Sequence, residues 1–228
     1  MSRILILGGH GRVALLATPK LVARGHEVTS VVRDDAQFGD VEAAGGHPRL
    51  FNLELATTDA LVDLISPFDA VVWSAGAGGG DPTRTWAIDR DAAVRSVQAA
   101  VIAQVRRYVM VSWAGSRLNH GIPEGDSFYP YAQAKAIADA VVRDSGLDFT
   151  VLGPARLTDE PGTGAIGEAA TRVSAGASAV AGQGAAVSRD DVAAAIVAVL
   201  EDRDTAGHTI TFGQGDIPIA EYVGLAEG

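Results

Sequence analysis

Short apolar runs rich in β-branched residues alternate with helical patterns along almost the whole chain. Predicted strands cover residues 3–7, 27–33, 48–52, 69–76, 106–115, 148–154 and 208–213. Predicted helices cover residues 12–24, 34–46, 57–65, 83–104, a stretch around Tyr131, 188–202 and 217–226. This alternation predicts successive βαβ units and therefore an α/β fold, a doubly wound parallel sheet with helices on both faces. Pro19 lies inside the first helix and predicts a kink or local break there.

The composition limits the partners and the kinds of site. With 228 residues the chain suits one domain, 1–228, in which residues 154–188 and 207–228 form a small C-terminal substrate-side portion. Cysteine is absent and the five histidines are scattered, so neither a disulfide nor a metal site is expected. The net charge of -10 disfavours nucleic acid, and no apolar run is long enough for a membrane span. We expect a cytoplasmic monomer or homodimer with a small-molecule substrate.

A glycine-rich loop follows the first predicted strand. The sequence ILILGGHGRVA places Gly8, Gly11 and Ala14 in the pattern GxxGxxA, between a strand and a helix. Gly8 would allow a tight turn, Gly11 would let a pyrophosphate approach the backbone, and Ala14 would let the helix pack closely. The loop predicts a Rossmann-type dinucleotide site, although a tight turn without a ligand shows the same pattern. The residues expected at the cofactor are Gly8, Gly9, His10, Gly11, Arg12 and Val13.

The residue that ends the second strand bears on the choice of cofactor. An acid there would bind the ribose of NAD, whereas an arginine suits the extra phosphate of NADP. Here the strand ends at Arg33, and Arg12 offers a second positive group. Asp34 and Asp35 follow at once, so NAD stays possible. We predict NADP, with a solvated strand-end charge as the alternative interpretation of Arg33.

Other loops fall at the carboxyl ends of strands, where ligands bind in such sheets. Asn52 and Leu53 follow the third strand and are expected near the adenine. Ala75 and Gly76 follow the fourth strand and are expected beside the dinucleotide. Pro154, at the end of the sixth strand, completes the predicted cofactor-binding set. Glycines at such places can also simply end a strand.

The stretch YPYAQAK contains a tyrosine and a lysine four residues apart, Tyr131 and Lys135. Residues at this spacing share a helix face, and many unrelated helices show the same pair. The chain has only two lysines, Lys20 and Lys135, among 18 basic residues, which favours a role for Lys135 that arginine cannot fill. Tyr129 lies on a different face. The spacing alone leaves open a packed tyrosine beside a solvated lysine.

Taken together, these motifs resemble the short-chain dehydrogenase/reductase superfamily in its atypical, NAD(P)H-binding and NAD-dependent epimerase/dehydratase-like branch. The motifs are GGHGRVA, SAGAGG, VMVSWAG, YAQAK and GPARLTDEPGTG, and the resemblance covers about residues 3–222. It implies a catalytic set of Ser112, Tyr131 and Lys135. In that set the serine holds the substrate carbonyl and the tyrosine transfers a proton. The lysine binds the nicotinamide ribose, as a further cofactor contact, and lowers the pKa of the tyrosine.

Two departures from the superfamily pattern are visible. SAGA replaces the NNAG-like motif, and Ile88 and Asp89 occupy the neighbourhood where an asparagine is often found. In the loop before Tyr131, His120 and Asp126 could contact substrate or belong to a solvated lid. The resemblance implies an NAD(P)-dependent oxidoreductase acting on a small carbonyl or alcohol, or an epimerase. The alternatives are an NADP(H)-binding redox sensor without turnover and a flavin or quinone reductase.

Overall fold

The computed structural model of the chain describes residues 1–78, 81–169 and 186–225. The strands are β1 (Arg3–Leu7), β2 (Glu27–Val32), β3 (His47–Leu50), β4 (Ala70–Trp73), β5 (Arg107–Val111), β6 (Asp148–Pro154), β7 (Arg156–Thr158), β8 (Ala165–Glu168), β9 (Ala186–Ser188), β10 (His208–Gln214) and β11 (Ile217–Pro218). The helices are α1 (Arg12–Ala23), α2 (Phe38–Ala43), α3 (Thr58–Ile65), α4 (Pro82–Thr85), α5 (Ala93–Ile102), α6 (Tyr129–Arg143), α7 (Arg189–Glu201) and α8 (Ile219–Gly224). A π-helical turn, Trp86–Ala92, joins α4 to α5, and short 3-10 turns cover Asp35–Gln37 and Arg203–Thr205.

In the described part of the chain, one large sheet has the order β11-β8-β10-β6-β5-β4-β1-β2-β3. All neighbours from β3 to β10 are parallel, and β8 returns antiparallel to β10 and β11. Since β1 pairs with both β2 and β4, the strand order reverses there, and a crevice opens at the carboxyl ends of these strands. The predicted doubly wound α/β fold is confirmed. β7 and β9 form a separate parallel pair.

β1 is covered on both faces of the sheet, which explains why its four buried residues are all apolar. Ile4 and Ile6 belong to a core cluster on one face with α1 and α7, and Leu5 and Leu7 to a cluster on the other face with α3 and α5. All four are at most 1% exposed. Strand side chains alternate between faces, so a strand covered on both sides must be apolar throughout.

Several predicted boundaries change in the structure. The helix predicted over residues 83–104 begins at Pro82 and contains the π-helical turn, which periodicity alone does not reveal. α1 runs unbroken past Pro19, so the predicted local break is wrong. The helix predicted from residue 188 is confirmed, with the Ser188 hydroxyl accepting from the Asp191 N–H at 2.9 Å. Both ends of the segment 163–187 form short strands, and its residues 170–185 lie outside the described residues.

α5 ends in a turn that usually requires glycine. Gln104 has φ of 57°, in the left-handed region. Its N–H donates to the Val101 carbonyl at 3.2 Å, and the Val105 N–H donates to the Ala100 carbonyl at 3.0 Å. This pair of bonds is the Schellman pattern, whose left-handed residue is most often glycine.

We predict that Gln104→Gly raises the free energy of unfolding by about 0.5–1 kcal/mol, because glycine adopts the left-handed conformation without steric cost. The exposed Gln98, within α5, gives the matched control. There, Gln98→Gly should lower stability by about 0.5–1 kcal/mol. Urea denaturation followed by circular dichroism measures both. A loss of stability in Gln104→Gly contradicts this account of the turn.

Candidate functional site

Two adjoining cavities lie along the carboxyl ends of the parallel strands. The larger has a volume of about 890 Å³ and the smaller about 250 Å³. Both are lined by Gly11 and by the backbone that follows β4, from Ser74 to Gly78. Because they share these walls, the two cavities form one continuous groove across the point where the strand order reverses. This is where the glycine loop predicted a dinucleotide.

The glycine loop is pressed against neighbouring strands, which explains its composition. Gly8 has φ of 89°, and a Cβ there would lie 2.5 Å from the Cα of Ala75. A Cβ on Gly9 would overlap with Ser30 on β2. Gly11 begins α1, and its N–H donates to the Gly8 carbonyl at 3.0 Å. A Cβ on Gly11 would meet only the Gly8 carbonyl oxygen, at 3.2 Å, and the Ser74 carbonyl oxygen, at 3.6 Å, so the side of Gly11 that faces the groove is open.

The smaller cavity collects most residues predicted for the adenosine half of the cofactor. They are Gly8, His10, Gly11, Arg33, Asn52, Leu53, Ala75 and Gly76. The backbone N–H of Ala36 donates to the Asp34 carboxylate at 3.0 Å. This bond caps the 3-10 turn. The Asp34 carboxylate, one of the two acids that follow Arg33, is therefore engaged in a hydrogen bond within the protein. Gly9 is buried beneath the loop and lines neither cavity.

The larger cavity brings together the three residues of the predicted catalytic set. Ser112, Tyr131 and Lys135 all line it, with Arg12 and Val13 from the glycine loop. Ser112 follows the last residue of β5, and the other two lie one turn apart on α6. Pro154 is buried in β6 and lines neither cavity, so the structure separates it from the other predicted cofactor residues.

Lys135 is almost fully buried, with 2% of the residue exposed. Its ammonium donates to the Val111 carbonyl at 2.6 Å. Two buried carboxylates, Asp89 and Asp139, interact electrostatically with it from different elements. A buried ammonium is costly unless opposite charges and hydrogen bonds compensate it, and here both are present.

Asp139 is a site residue that the sequence interpretation missed. The Ser112 hydroxyl donates to its Oδ2 at 2.5 Å, and the Ser116 hydroxyl donates to the same oxygen. Burial raises the pKa of the Asp139 carboxyl, against the positive charge of Lys135 and the two serine hydrogen bonds. Its position, one further turn along α6 from Lys135, was the available signal. Because its proton is held by Asp139, the Ser112 hydroxyl is left as an acceptor.

Asp89 lies in the π-helical turn, and the sequence interpretation named it only as a departure from the superfamily pattern, without a role in the site. It is 1% exposed, and its Oδ2 accepts from the Ala77 N–H at 3.0 Å. Burial raises the pKa of this carboxyl, and the charge of Lys135 opposes that rise. Asp89 therefore joins the loop after β4 to the lysine on α6. The π-helical turn is a local feature often found at functional sites.

Tyr131 departs from the sequence expectation in its pKa. Its half-buried ring lies against Phe128, with ring centroids 5.2 Å apart. Burial, followed by the negative charges of Asp89 and Asp139, raises the pKa of the phenol above its ordinary value. In the protein alone, burial and the two carboxylates thus move this pKa in the direction opposite to that expected from Lys135.

The loop before α6 gives different roles to its residues. The Tyr129 ring packs on the His120 ring with centroids 5.5 Å apart, and Tyr129 does not line the cavity. His120 hydrogen bonds to Gln133 at 3.0 Å and accepts from the Ile122 N–H at 3.1 Å, so it holds the loop together. Asp126 lines the cavity.

A cluster of three charges borders the larger cavity. Arg12 donates to Asp159 Oδ2 at 2.7 Å, and Arg189, the first residue of α7, donates to Oδ1 at 2.7 Å. Both arginines line the larger cavity. Arg33 lines only the smaller one, so Arg12 and Arg33 do not share a cavity.

Residues 1–78, 81–169 and 186–225 contain neither a metal-binding cluster nor a membrane-spanning helix. Within these ranges, no group of three acidic or histidine side chains is arranged to hold a metal ion. No helix there is both long and apolar enough to cross a bilayer.

Comparison with known proteins identifies the family. A family model described as NAD(P)H-binding matches residues 8–203. An uncharacterized sugar epimerase of Bacillus subtilis is 32% identical over 227 residues, covering 96% of this chain and 97% of the relative. A solved structure from Bacillus halodurans, a candidate NAD-dependent epimerase/dehydratase, is 30% identical with a TM-score of 0.84, covering 99% of this chain and 100% of that one.

A short-chain dehydrogenase/reductase from Veillonella parvula, in complex with NADP, shares the fold at 20% identity. Its TM-score is 0.68, and the match covers 96% of this chain and 97% of that one. The resemblance inferred from the motifs is confirmed by the family model and by the two relatives at 30% identity or more. The chain belongs to the NAD(P)H-binding family, and two of its relatives at 30% identity or more are named a sugar epimerase and an NAD-dependent epimerase/dehydratase.

Proposed function

We propose that the protein is an NADP(H)-dependent oxidoreductase that interconverts a small alcohol and its carbonyl compound. The observation that carries the proposal is the joint placement of Ser112, Tyr131 and Lys135 in one cavity that adjoins the glycine loop. A cofactor-binding sensor without turnover would not need a buried lysine and a tyrosine on one cavity wall. An epimerase would use the same three residues twice, first to oxidise an alcohol to a keto intermediate and then to reduce that intermediate.

The residues along the groove fit a nicotinamide dinucleotide. The open side of Gly11 and the N–H groups at the start of α1 suit a pyrophosphate. Arg33, exposed at the smaller cavity, would pair with the 2′-phosphate of NADP, and this supports NADP over NAD. When bound, the cofactor supplies hydride chemistry at its nicotinamide ring. The neighbouring protein groups supply orientation and the proton.

Each residue of the set has a role that follows from its contacts. Lys135 is fixed by the Val111 carbonyl and would offer its remaining N–H groups to the ribose hydroxyls. Like an ordinary tyrosine, Tyr131 is protonated at neutral pH, and burial raises its pKa further; it would donate this proton to the substrate oxygen during reduction. Ser112, whose proton is held by Asp139, would accept a hydrogen bond from the hydroxyl of the alcohol form.

The substrate would enter the larger cavity from the side of the β7–β9 pair. Leu157 on β7 and Arg189 after β9 line this cavity. Leu157 supports residues 154–188 as a substrate-side portion, and Arg189 lies directly after that range. The corresponding assignment of residues 207–228 stays a prediction, because β10, β11 and α8 extend the far edge of the sheet.

We predict that Gly11→Ala lowers NADPH affinity about tenfold or more, because the added methyl would occupy the pyrophosphate side of the groove. The methyl would lie 3.2 Å from the Gly8 carbonyl oxygen, a tight contact, so urea denaturation checks in parallel that the variant is folded. Fluorescence titration with NADPH measures the affinity. Gly39→Ala, with no neighbour within 4 Å, is the control that should bind normally. Equal affinities in the two variants contradict the assigned cofactor path.

We predict that Tyr131→Phe lowers turnover about 100-fold or more while NADPH affinity stays within about twofold, because only the proton donor is removed. NADPH oxidation is followed with a panel of small carbonyl compounds, quinones and flavins. Tyr129→Phe is the matched control and should keep full turnover. Persistent turnover of quinones or flavins by Tyr131→Phe would instead identify a reductase that needs no proton donor.

A further inference from the structure

We infer that the substrate carries an anionic group, a phosphate or a carboxylate, which binds between Arg12 and Arg189 in place of the Asp159 carboxylate. The inference rests on the proposed function and narrows its substrate class. Nothing in the catalytic set requires it, because Ser112, Tyr131 and Lys135 act on the reacting oxygen and the cofactor. It follows from a different part of the same cavity.

The geometry shows an anion-binding pair already occupied by a protein carboxylate. Asp159 bridges the two guanidinium groups, with one oxygen 2.7 Å from each Nη1. Both arginines line the larger cavity, whereas Asp159 does not. A guanidinium can donate to a carboxylate or phosphate through two parallel N–H bonds, and Asp159 takes only one from each arginine.

The exposure of the three side chains suggests which one can leave. The Arg189 side chain is 14% exposed, whereas those of Arg12 and Asp159 are each 66% exposed. An ion pair as exposed as that between Arg12 and Asp159 contributes little to stability. The partly buried guanidinium of Arg189 is shielded from water, which strengthens its attraction for an anion. Asp159 can therefore swing into solvent while Arg189 stays at the cavity wall.

The local charge balance also favours an added anion. Among the described residues, Asp159 is the one carboxylate that pairs with two arginines, and the other ion pairs match one base with one acid. The cluster thus has one positive charge in excess, within a chain of net charge -10. Other walls of the cavity are acidic and would repel an anion. Their carboxylates belong to Asp81, Asp89, Glu124 and Asp126.

The same chemistry could in principle serve the cofactor, whose pyrophosphate would lie at the start of α1 beside Arg12. Arg189 argues for the substrate, because it lies on α7 and lines only the larger cavity. The substrate class is then a hydroxy or keto compound with a carboxylate or phosphate, such as a hydroxy acid or a sugar phosphate. Its charged end would lie at the two arginines and its reacting carbon on the side of Tyr131.

The test uses inorganic phosphate as the probe, with the full chain saturated with NADPH and the ionic strength held constant. Isothermal titration calorimetry measures the phosphate affinity. We expect Arg189→Gln to weaken it at least tenfold and Asp159→Asn to strengthen it severalfold, because the variant removes the competing carboxylate. Arg24→Gln is the matched control, since Arg24 makes a similar exposed pair with Glu201 at 2.7 Å and should leave the affinity unchanged.

Opposite effects of the two variants cannot arise from a general loss of structure. If Arg189→Gln does not fold, the gain expected in Asp159→Asn, an exposed position, decides the matter alone. Absence of phosphate binding by both the native chain and Asp159→Asn overturns the inference. So does displacement of NADPH by phosphate, which would assign the arginines to the cofactor. Because the readout needs no turnover, failure of the proposed function appears separately, as phosphate binding with no reaction.

Discussion

The candidate site depends on one buried positive charge. The ammonium of Lys135 lies in the interior, where an uncompensated charge would strongly destabilise the fold. Its compensation comes from the Val111 carbonyl and from the carboxylates of Asp89 and Asp139. These groups lie on β5, in the π-helical turn and on α6, so the charge ties together three elements that surround the larger cavity.

The consequences of this arrangement reach the other groups of the site. Asp139 takes the proton of Ser112 and so determines that this hydroxyl is an acceptor. Asp89 holds the backbone after β4, which is the shared wall of the two cavities. Both carboxylates add to the effect of burial, which raises the pKa of Tyr131. For the proposed reaction, a protonated tyrosine and a fixed lysine suit reduction of a carbonyl compound, and an acceptor serine suits the hydroxyl of the alcohol product.

Much of the fold could be predicted from sequence because its signals are local. The apolar run of β1, the glycine loop and the Ser188 cap each depend on residues close in the chain, and the structure confirms them. The catalytic set was predicted from a family resemblance, and the structure brings its three members to one cavity.

The rest of the site depends on contacts between distant elements. Asp89 and Asp139 face Lys135 only after folding, and burial together with their charges raises the pKa of Tyr131, opposite to the change expected. Arg12 pairs with Asp159, 147 residues further along the chain. It does not line the smaller cavity, where Arg33 lies. Hydrophobic periodicity in the sequence cannot predict such pairs, because side chains that lie far apart in the chain have no fixed geometric relation.

We expect the buried ammonium of Lys135 to bind the nicotinamide ribose. A crystal structure of the NADPH complex should show this ammonium at hydrogen-bond distance from the ribose hydroxyls, the nicotinamide ring in the larger cavity beside Tyr131, and the 2′-phosphate at Arg33. A cofactor bound with its nicotinamide outside that cavity, or with Lys135 still bonded only to protein groups, would contradict this expectation.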